Sequence, residues 1–215
     1  EFPITYLGAI AAGIIPVPVS SQLTAPELAK ITDTIQPALT VRAAGMATVS
    51  GPAMAASALR AFWTLPPAEF AMGDPNRPAY IVFTSGTLGK PRAVVHAHRA
   101  IWARQMMWDG WYGLRETDRL MHAGAFNWTY TLGTGLMDPW SVGATALIPS
   151  DSTGATDLGG LLAAEQATIF AAAPGVYRRL LRSDLPALPR LRHGLSAGEK
   201  LATPLRDQWE AITGT

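Results

Sequence analysis

The 215 residues are enough for one large domain or two small ones with a buried core. A formal net charge of +1 gives no reason to expect nucleic acid or an anionic membrane as a partner, and the lack of any cysteine excludes a disulfide framework and a thiolate metal site. The apolar share of 48% and charged share of 15% suit a globular chain, the 20 glycines and 17 prolines foretell many turns, and a cysteine-free chain fits a reducing, cytoplasmic location.

In chain order, the periodicities predict a helix from Phe2 to Ala12, a strand from Ile14 to Val19, a helix from Ala25 to Thr34 and a further apolar run from Ala38 to Val41. These make a first α/β segment, residues 1–42. The apolar stretch Tyr6 to Val17 is too short and too broken by glycine and proline to span a bilayer. Residues 43–78 are rich in Ala, Pro and Gly with little periodicity, and an irregular surface connection is expected there. From residue 79 to 215, short apolar runs alternate with helical patterns. Candidate strands are Tyr80–Phe83, Ala93–His96, Arg119–Ala123, Ala144–Ile148, Thr168–Ala172 and Leu191–Leu195; candidate helices are His98–Trp111, Thr129–Trp140, Asp157–Gln166, Pro174–Ser183 and Thr203–Ile212. Pro174 and Pro204 suit first helical turns, and Thr203 is placed to cap the last helix. Alternating short strands and helices predict an α/β fold with a mainly parallel sheet and flanking helices.

Three segments carry chemistry. The first, Thr84-Ser85-Gly86-Thr87-Leu88-Gly89-Lys90-Pro91-Arg92, lies between two strand-like runs. Glycines permit close backbone approach to an anion, while hydroxyls, backbone N–H groups and an ammonium supply donors, so the loop reads as a phosphate cradle; a plain Gly-rich hairpin is the alternative. It is not a Walker loop: only Thr87 and Leu88 separate Gly86 from Gly89-Lys90, and Pro91 stands where a helix would have to start. The second segment, Ser196-Ala197-Gly198-Glu199-Lys200, follows a predicted strand, where ligands collect in α/β sheets; a strand-to-helix turn with a solvated Glu is equally compatible. The third, His122 to Tyr130, places aromatics after a strand, and Phe126 reads as core. His96 and His98 alternate on one strand face, but no third ligand has suitable spacing; a metal site is not expected, and His98 reads as the start of a helix. His193 reads as packing, and Asp157 and Glu165 as solvated helix residues.

The first segment resembles the phosphate-binding loop of the adenylate-forming superfamily (acyl-CoA synthetases, luciferases and peptide-synthetase adenylation domains), whose pattern is Thr-Ser-Gly-Thr/Ser-Thr-Gly-x-Pro-Lys-Gly. Thr84, Ser85, Gly86, Thr87, Gly89 and Pro91 match it; Leu88, Arg92 and Ala93 depart from it. The order of further segments agrees: Ala12-Gly13 with Pro16, Leu23-Thr24 with Glu27, and Ser196-Ala197-Gly198-Glu199, where Lys200 replaces the usual proline. The resemblance implies part of the large N-terminal acyl-CoA synthetase-like domain and a two-step ligase. A carboxylate attacks the α-phosphate of ATP with Mg2+, giving acyl-AMP and pyrophosphate, and a thiol such as CoA then displaces AMP. It also implies that Thr84, Ser85, Gly86, Thr87, Leu88, Gly89 and Lys90 face the ATP phosphates. Ala197, Gly198, Glu199 and Lys200 fall on the adenine side; Trp128 lines the acyl pocket with Asn127 and Thr129 beside it, which suggests a short or aromatic acid. The family's Tyr-Gly-x-Thr-Glu segment, ribose-binding Asp and C-terminal domain with its catalytic Lys are not found in these residues, and the chain opens without Met, so a fragment inactive by itself is expected. A non-catalytic binding module of the same fold, and a phosphate-utilising enzyme on an unrelated fold, are the alternatives.

Overall fold

Ile169, Phe170, Ala171 and Ala172 are buried at every position, so the strand they form lies between covered faces on both sides. The computed structural model describes residues 1–84, 91–150, 153–154 and 157–215. They divide into two compact units, Glu1–Arg99 and Ala100–Thr215. No helix among the described residues is long and apolar enough to cross a membrane.

In the first unit, α1 (Phe2–Ala11) buries Tyr6 and Ile10, one turn apart on a single face. α2 (Ala25–Ile35) starts at Thr24, whose N–H and hydroxyl both donate to the Glu27 carboxylate at 2.9 and 2.7 Å, with Pro26 in the first turn. These hydrogen bonds hold the Glu27 carboxyl below its ordinary range. The strand expected at Ile14–Val19 does not form: Pro16 and Pro18 remove two ladder donors, and Ile81 N–H to Pro16 O, 3.1 Å, is the contact made there. Gly13 has φ +75°, and a Cβ at that position would lie 2.8 Å from Ala71 Cβ; glycine meets both demands. β1 (Thr40–Arg42) is displaced two residues from the expected run, and pairs in parallel with β2 (Ala53–Ala55), which is followed by a 3-10 turn at Ala56–Phe62. Residues 43–78 are therefore not wholly irregular.

β3 (Pro78–Thr84) and β4 (Arg92–Ala97) form an antiparallel ladder closing at Thr84 opposite Arg92. Among the described strands the other pairings are parallel, as expected. Tyr80 stacks on His96 with ring centroids 4.5 Å apart and packs edge-on to Tyr6 at 5.9 Å. His98 opens α3 (His98–Ala103), its N–H donating to Arg77 O at 3.1 Å. Among the described residues no three His, Asp or Glu side chains are grouped to hold a metal.

The second unit is a four-stranded parallel sheet in the order β6 (Thr145–Leu147), β5 (Arg119–His122), β7 (Ile169–Ala172), β8 (His193–Ser196). Met121, Phe170 and Ala172 face a core completed by α7 (Leu158–Ala164), α8 (Pro174–Leu180) and Trp209 of α9 (Thr203–Thr213). Leu120, Ile169, Ala171 and Leu195 face the other side, with Tyr112 and Leu114. The helical pattern at 98–111 is divided into α3 and α4 (Met106–Gly110). The helix predicted from Thr129 is continuous to Ser141 but changes hand-hold midway: α5 (Thr129–Leu132), a π turn at Gly133–Met137, then α6 (Asp138–Ser141). Thr203 does not cap α9; the helix begins on it, with Ala202 as the cap residue.

Two ionic clusters pin this unit. Before the strands begin, Asp118 accepts from Thr168 Oγ1 (2.7 Å), from the Arg115 N–H (2.8 Å) and from Arg192 Nε (3.0 Å) and Nη2. Burial pushes the Asp118 carboxyl up, but these hydrogen bonds outweigh it and leave it below the usual range. Beside the π turn, Arg104 grips Asp138 in a bidentate pair at 2.7 and 2.5 Å, and the Tyr112 hydroxyl donates to the same carboxylate at 2.6 Å. The Glu165 side chain is open to solvent as expected and pairs at the surface with Arg119 at 2.7 Å.

Candidate active site

A parallel sheet concentrates its ligand-facing groups where neighbouring connections leave in opposite directions. In the order β6-β5-β7-β8 that place is the carboxyl ends of β5 and β7, because the chain leaves β5 toward β6 and leaves β7 toward β8. β5 ends on His122, and β8 ends beside β7 on Ser196. The second and third predicted segments therefore start from one edge of one sheet.

They also meet. Gly198 has φ +102°, and a Cβ built on it would fall 3.1 Å from Trp128 Cζ2 and Cη2. The indole edge thus lies against the Gly198 backbone, in space that only glycine leaves open. Trp128 is half-buried and caps α5, its N–H donating to Ala125 O at 3.2 Å and its carbonyl accepting from Leu132 N–H at 3.0 Å. Asn127 and Thr129 flank it and are half-buried; Ala197 is half-buried, and Glu199 and Lys200 are exposed.

Two further rings, Tyr130 and His122, pack against the Trp128 side of this contact. Trp128 and Tyr130 stand edge to face with centroids 5.1 Å apart, Tyr130 and His122 at 4.5 Å, and His122 and Trp128 at 6.2 Å. His122 is 4% exposed, and neither of its ring nitrogens has a hydrogen-bond partner among the described residues. Burial alone pushes its pKa down to about 3, so the ring is a neutral hydrogen-bonding group and a poor base. Tyr130 Oη, Thr131 Oγ1 and Ser196 Oγ are likewise buried without a partner among the described residues. Each such atom costs about 1–3 kcal/mol, and folded proteins keep few of them. Tyr177 Oη, by contrast, is satisfied, donating to Leu195 O at 2.9 Å.

Sequence reasoning had His122, Tyr130 and Ser196 within its segments but gave them no role, and it passed over Thr131. Tyr130 and Ser196 adjoin predicted site residues in the chain, and His122 opens the third segment; Thr131 had no signal beyond following that segment, since its placement depends on where α5 starts. Thr84 ends β3 in the first unit and is exposed. Ser85, Gly86, Thr87, Leu88, Gly89 and Lys90 lie outside the described residues. Open surface depressions elsewhere, one beside Thr153, Asp157 and Leu161 and one beside Arg42, Met54 and Arg60, contain none of these groups.

The family described as AMP-binding enzyme matches over residues 1–215. The chain belongs to that family. Its fold is that of the adenylate-forming enzymes, which removes the unrelated-fold alternative. A benzoate CoA ligase structure from Burkholderia xenovorans LB400 superposes with a TM-score of 0.88 at 25% identity, covering 99% of this chain and 46% of that one. An anthranilate CoA ligase in complex with anthranoyl-AMP gives 0.83 at 24%, covering 98% and 46%. By sequence, a 3-hydroxybenzoate/4-hydroxybenzoate CoA ligase of Thauera aromatica is 33% identical over 138 residues, 63% of this chain and 26% of the relative. The benzoate CoA ligase of the same organism is 28% identical over 241 aligned positions, 100% of this chain and 45% of the relative. The chain therefore spans between a quarter and a half of the length of these relatives.

Proposed function

We propose that these residues are the part of an ATP-dependent acid–CoA ligase that holds the acyl group and one side of the adenylate, with an aromatic carboxylic acid as substrate. The observation that carries this is the Trp128–Gly198 contact, which joins the acyl-side and adenine-side segments at the carboxyl edge of a parallel sheet. The rings of Trp128, Tyr130 and His122 favour a flat acid, in keeping with the benzoate-type relatives. On this reading Asn127, Trp128 and Thr129 bound the acyl group, and Ala197, Gly198, Glu199 and Lys200 the adenine. Thr84 through Lys90 supply donors to the ATP phosphates, where N–H groups and an ammonium offset approaching anions. ATP and CoA are the co-substrates. Mg2+, implied by the family, would offset the remaining charge on the ATP phosphates.

Isothermal titration of residues 1–215 with ATP, AMP and an aroyl-sulfamoyl adenosine tests the reading. The acyl-adenylate analogue is expected to bind tightest, and equal affinity for all three would overturn it. Pyrophosphate release with ATP and benzoates is expected to be absent from residues 1–215 alone, as the family's magnesium-holding Glu, ribose Asp and catalytic Lys are not among them; robust turnover would refute that. A non-catalytic binding module is favoured by Leu88, Ala93 and Lys200, and predicts AMP or acyl binding with no activity in any longer form of the protein.

A further inference from the structure

The polar atoms around His122 are not explained by holding a plain aromatic ring. A benzoyl group offers edges and faces of carbon, which would leave both imidazole nitrogens and the Thr131 hydroxyl as they are, buried and unpaired among the described residues. His122 is 4% exposed and Thr131 1%. The two converge: the point where a Gly124 Cβ would sit is 2.5 Å from Thr131 Oγ1 and 3.0 Å from His122 Nδ1, so only a glycine at 124 leaves them facing one another's space. On the other side of the imidazole a Gly135 Cβ would fall 2.7 Å from His122 Cβ, so a glycine on the π turn lets the ring seat deeply. The rings of Tyr130 and Trp128 stand edge-on to this imidazole, and the second of them is the one that touches Gly198.

We propose that His122 and Thr131 form a subsite for a neutral hydrogen-bonding substituent, a hydroxyl or amino group, on the ring of the acid. The proposal rests on the acyl-site reading given above. A hydroxyl both donates and accepts, and so complements a neutral imidazole together with a threonine hydroxyl. An ionised substituent is disfavoured, because among the described residues burial alone, and no charged group, acts on His122, and a second buried carboxylate would go unneutralised. The two residues would then set specificity, because a site built to pair a substituent rejects the analogue lacking it, whose binding strands the site's own polar atoms.

The test uses residues 1–215 and a series of aroyl-sulfamoyl adenosines carrying benzoyl, the three hydroxybenzoyl isomers, the three aminobenzoyl isomers and 4-carboxybenzoyl. At least one hydroxy or amino isomer is expected to bind tenfold or more tighter than benzoyl, with carboxybenzoyl weakest. In Thr131→Val and in His122→Phe, checked for folding by circular dichroism, the ratio of that isomer to benzoyl is expected to collapse below threefold. Thr131→Val is nearly isosteric and keeps the test decisive if His122→Phe does not fold. Two results overturn the proposal alone: benzoyl binding as tightly as every substituted analogue, or a preference that persists in Thr131→Val, which would mean that the buried atoms are served by water. Failure of every analogue, benzoyl included, overturns the acyl-site reading itself.

Discussion

A buried neutral histidine makes stability depend on pH with a sign and size that follow from its position. His122 has a folded pKa of about 3 against 6.5 in an ordinary setting, and burial is the cause. As pH falls below 6.5 the unfolded chain takes up a proton that the folded chain refuses, so the unfolded state binds more protons and stability drops. The contribution is fully present above 6.5 and is lost on descending toward 3. The limiting slope is about 1.4 kcal/mol per pH unit, which amounts to about 2 kcal/mol by pH 5. Against a typical total of about 5–15 kcal/mol this is a readily measured fraction. Urea unfolding at pH 7.5 and pH 5.0, on the wild type and on His122→Phe, isolates it. His98 and His193 are also pushed down by burial, but they are present in both proteins and cancel in the comparison. The wild type should lose about 2 kcal/mol more than the variant between the two pH values. Parallel losses would refute the assignment of His122 as a buried neutral ring.

Gly198→Ala puts a side chain at φ +102° and against the Trp128 ring, so a loss of about 1–2 kcal/mol is expected together with a shift of the Trp128 indole N–H resonance; an unmoved resonance would contradict the contact. Arg104→Met leaves Asp138 buried with the Tyr112 hydroxyl as its remaining side-chain donor among the described residues, and thermal or urea melts should show about 3 kcal/mol of destabilisation. Gly194→Ala would set a Cβ 2.7 Å from Trp209 Nε1 and 3.3 Å from Tyr177 Oη, at a cost of about 1–3 kcal/mol from overpacking, measured the same way. Lys90→Ala should weaken ATP binding by calorimetry, since its ammonium is proposed to offset the charge of the phosphates; unchanged affinity would contradict that role.

The parallel core was legible because its strands are short, apolar and bounded by glycines. The predicted runs Arg119–Ala123 and Thr168–Ala172 lie within a residue of β5 and β7. β8 starts two residues later than expected, because Arg192 spends its side chain on Asp118 and its N–H on Thr168 O before the ladder begins. Apolarity alone also misled at Ile14–Val19, where prolines deny the ladder its donors. In the site, Trp128 and Gly198 were named from two motifs lying seventy residues apart, but their contact is a tertiary fact that neither motif encodes. His122 and Thr131 were harder still. A histidine at a strand end and a threonine inside a helix are common in sequences, and it takes the folded structure to show that they converge at Gly124 with no partner among the described residues.

The helix that begins at Trp128 is held from its other end. Its last turn carries Asp138, clamped by Arg104, and the π turn between them is where Gly133 makes room for the guanidinium, which a Cβ there would meet at 2.1 Å. Trp128 and Thr131 thus sit at one end of a helix whose other end is fixed by an ion pair. If Trp128 and Thr131 bound the acyl group as proposed, acid preference would also answer to the clamp: resetting it would shift them, and a variant selected for a new acid could carry its decisive substitution at position 104, 133 or 138.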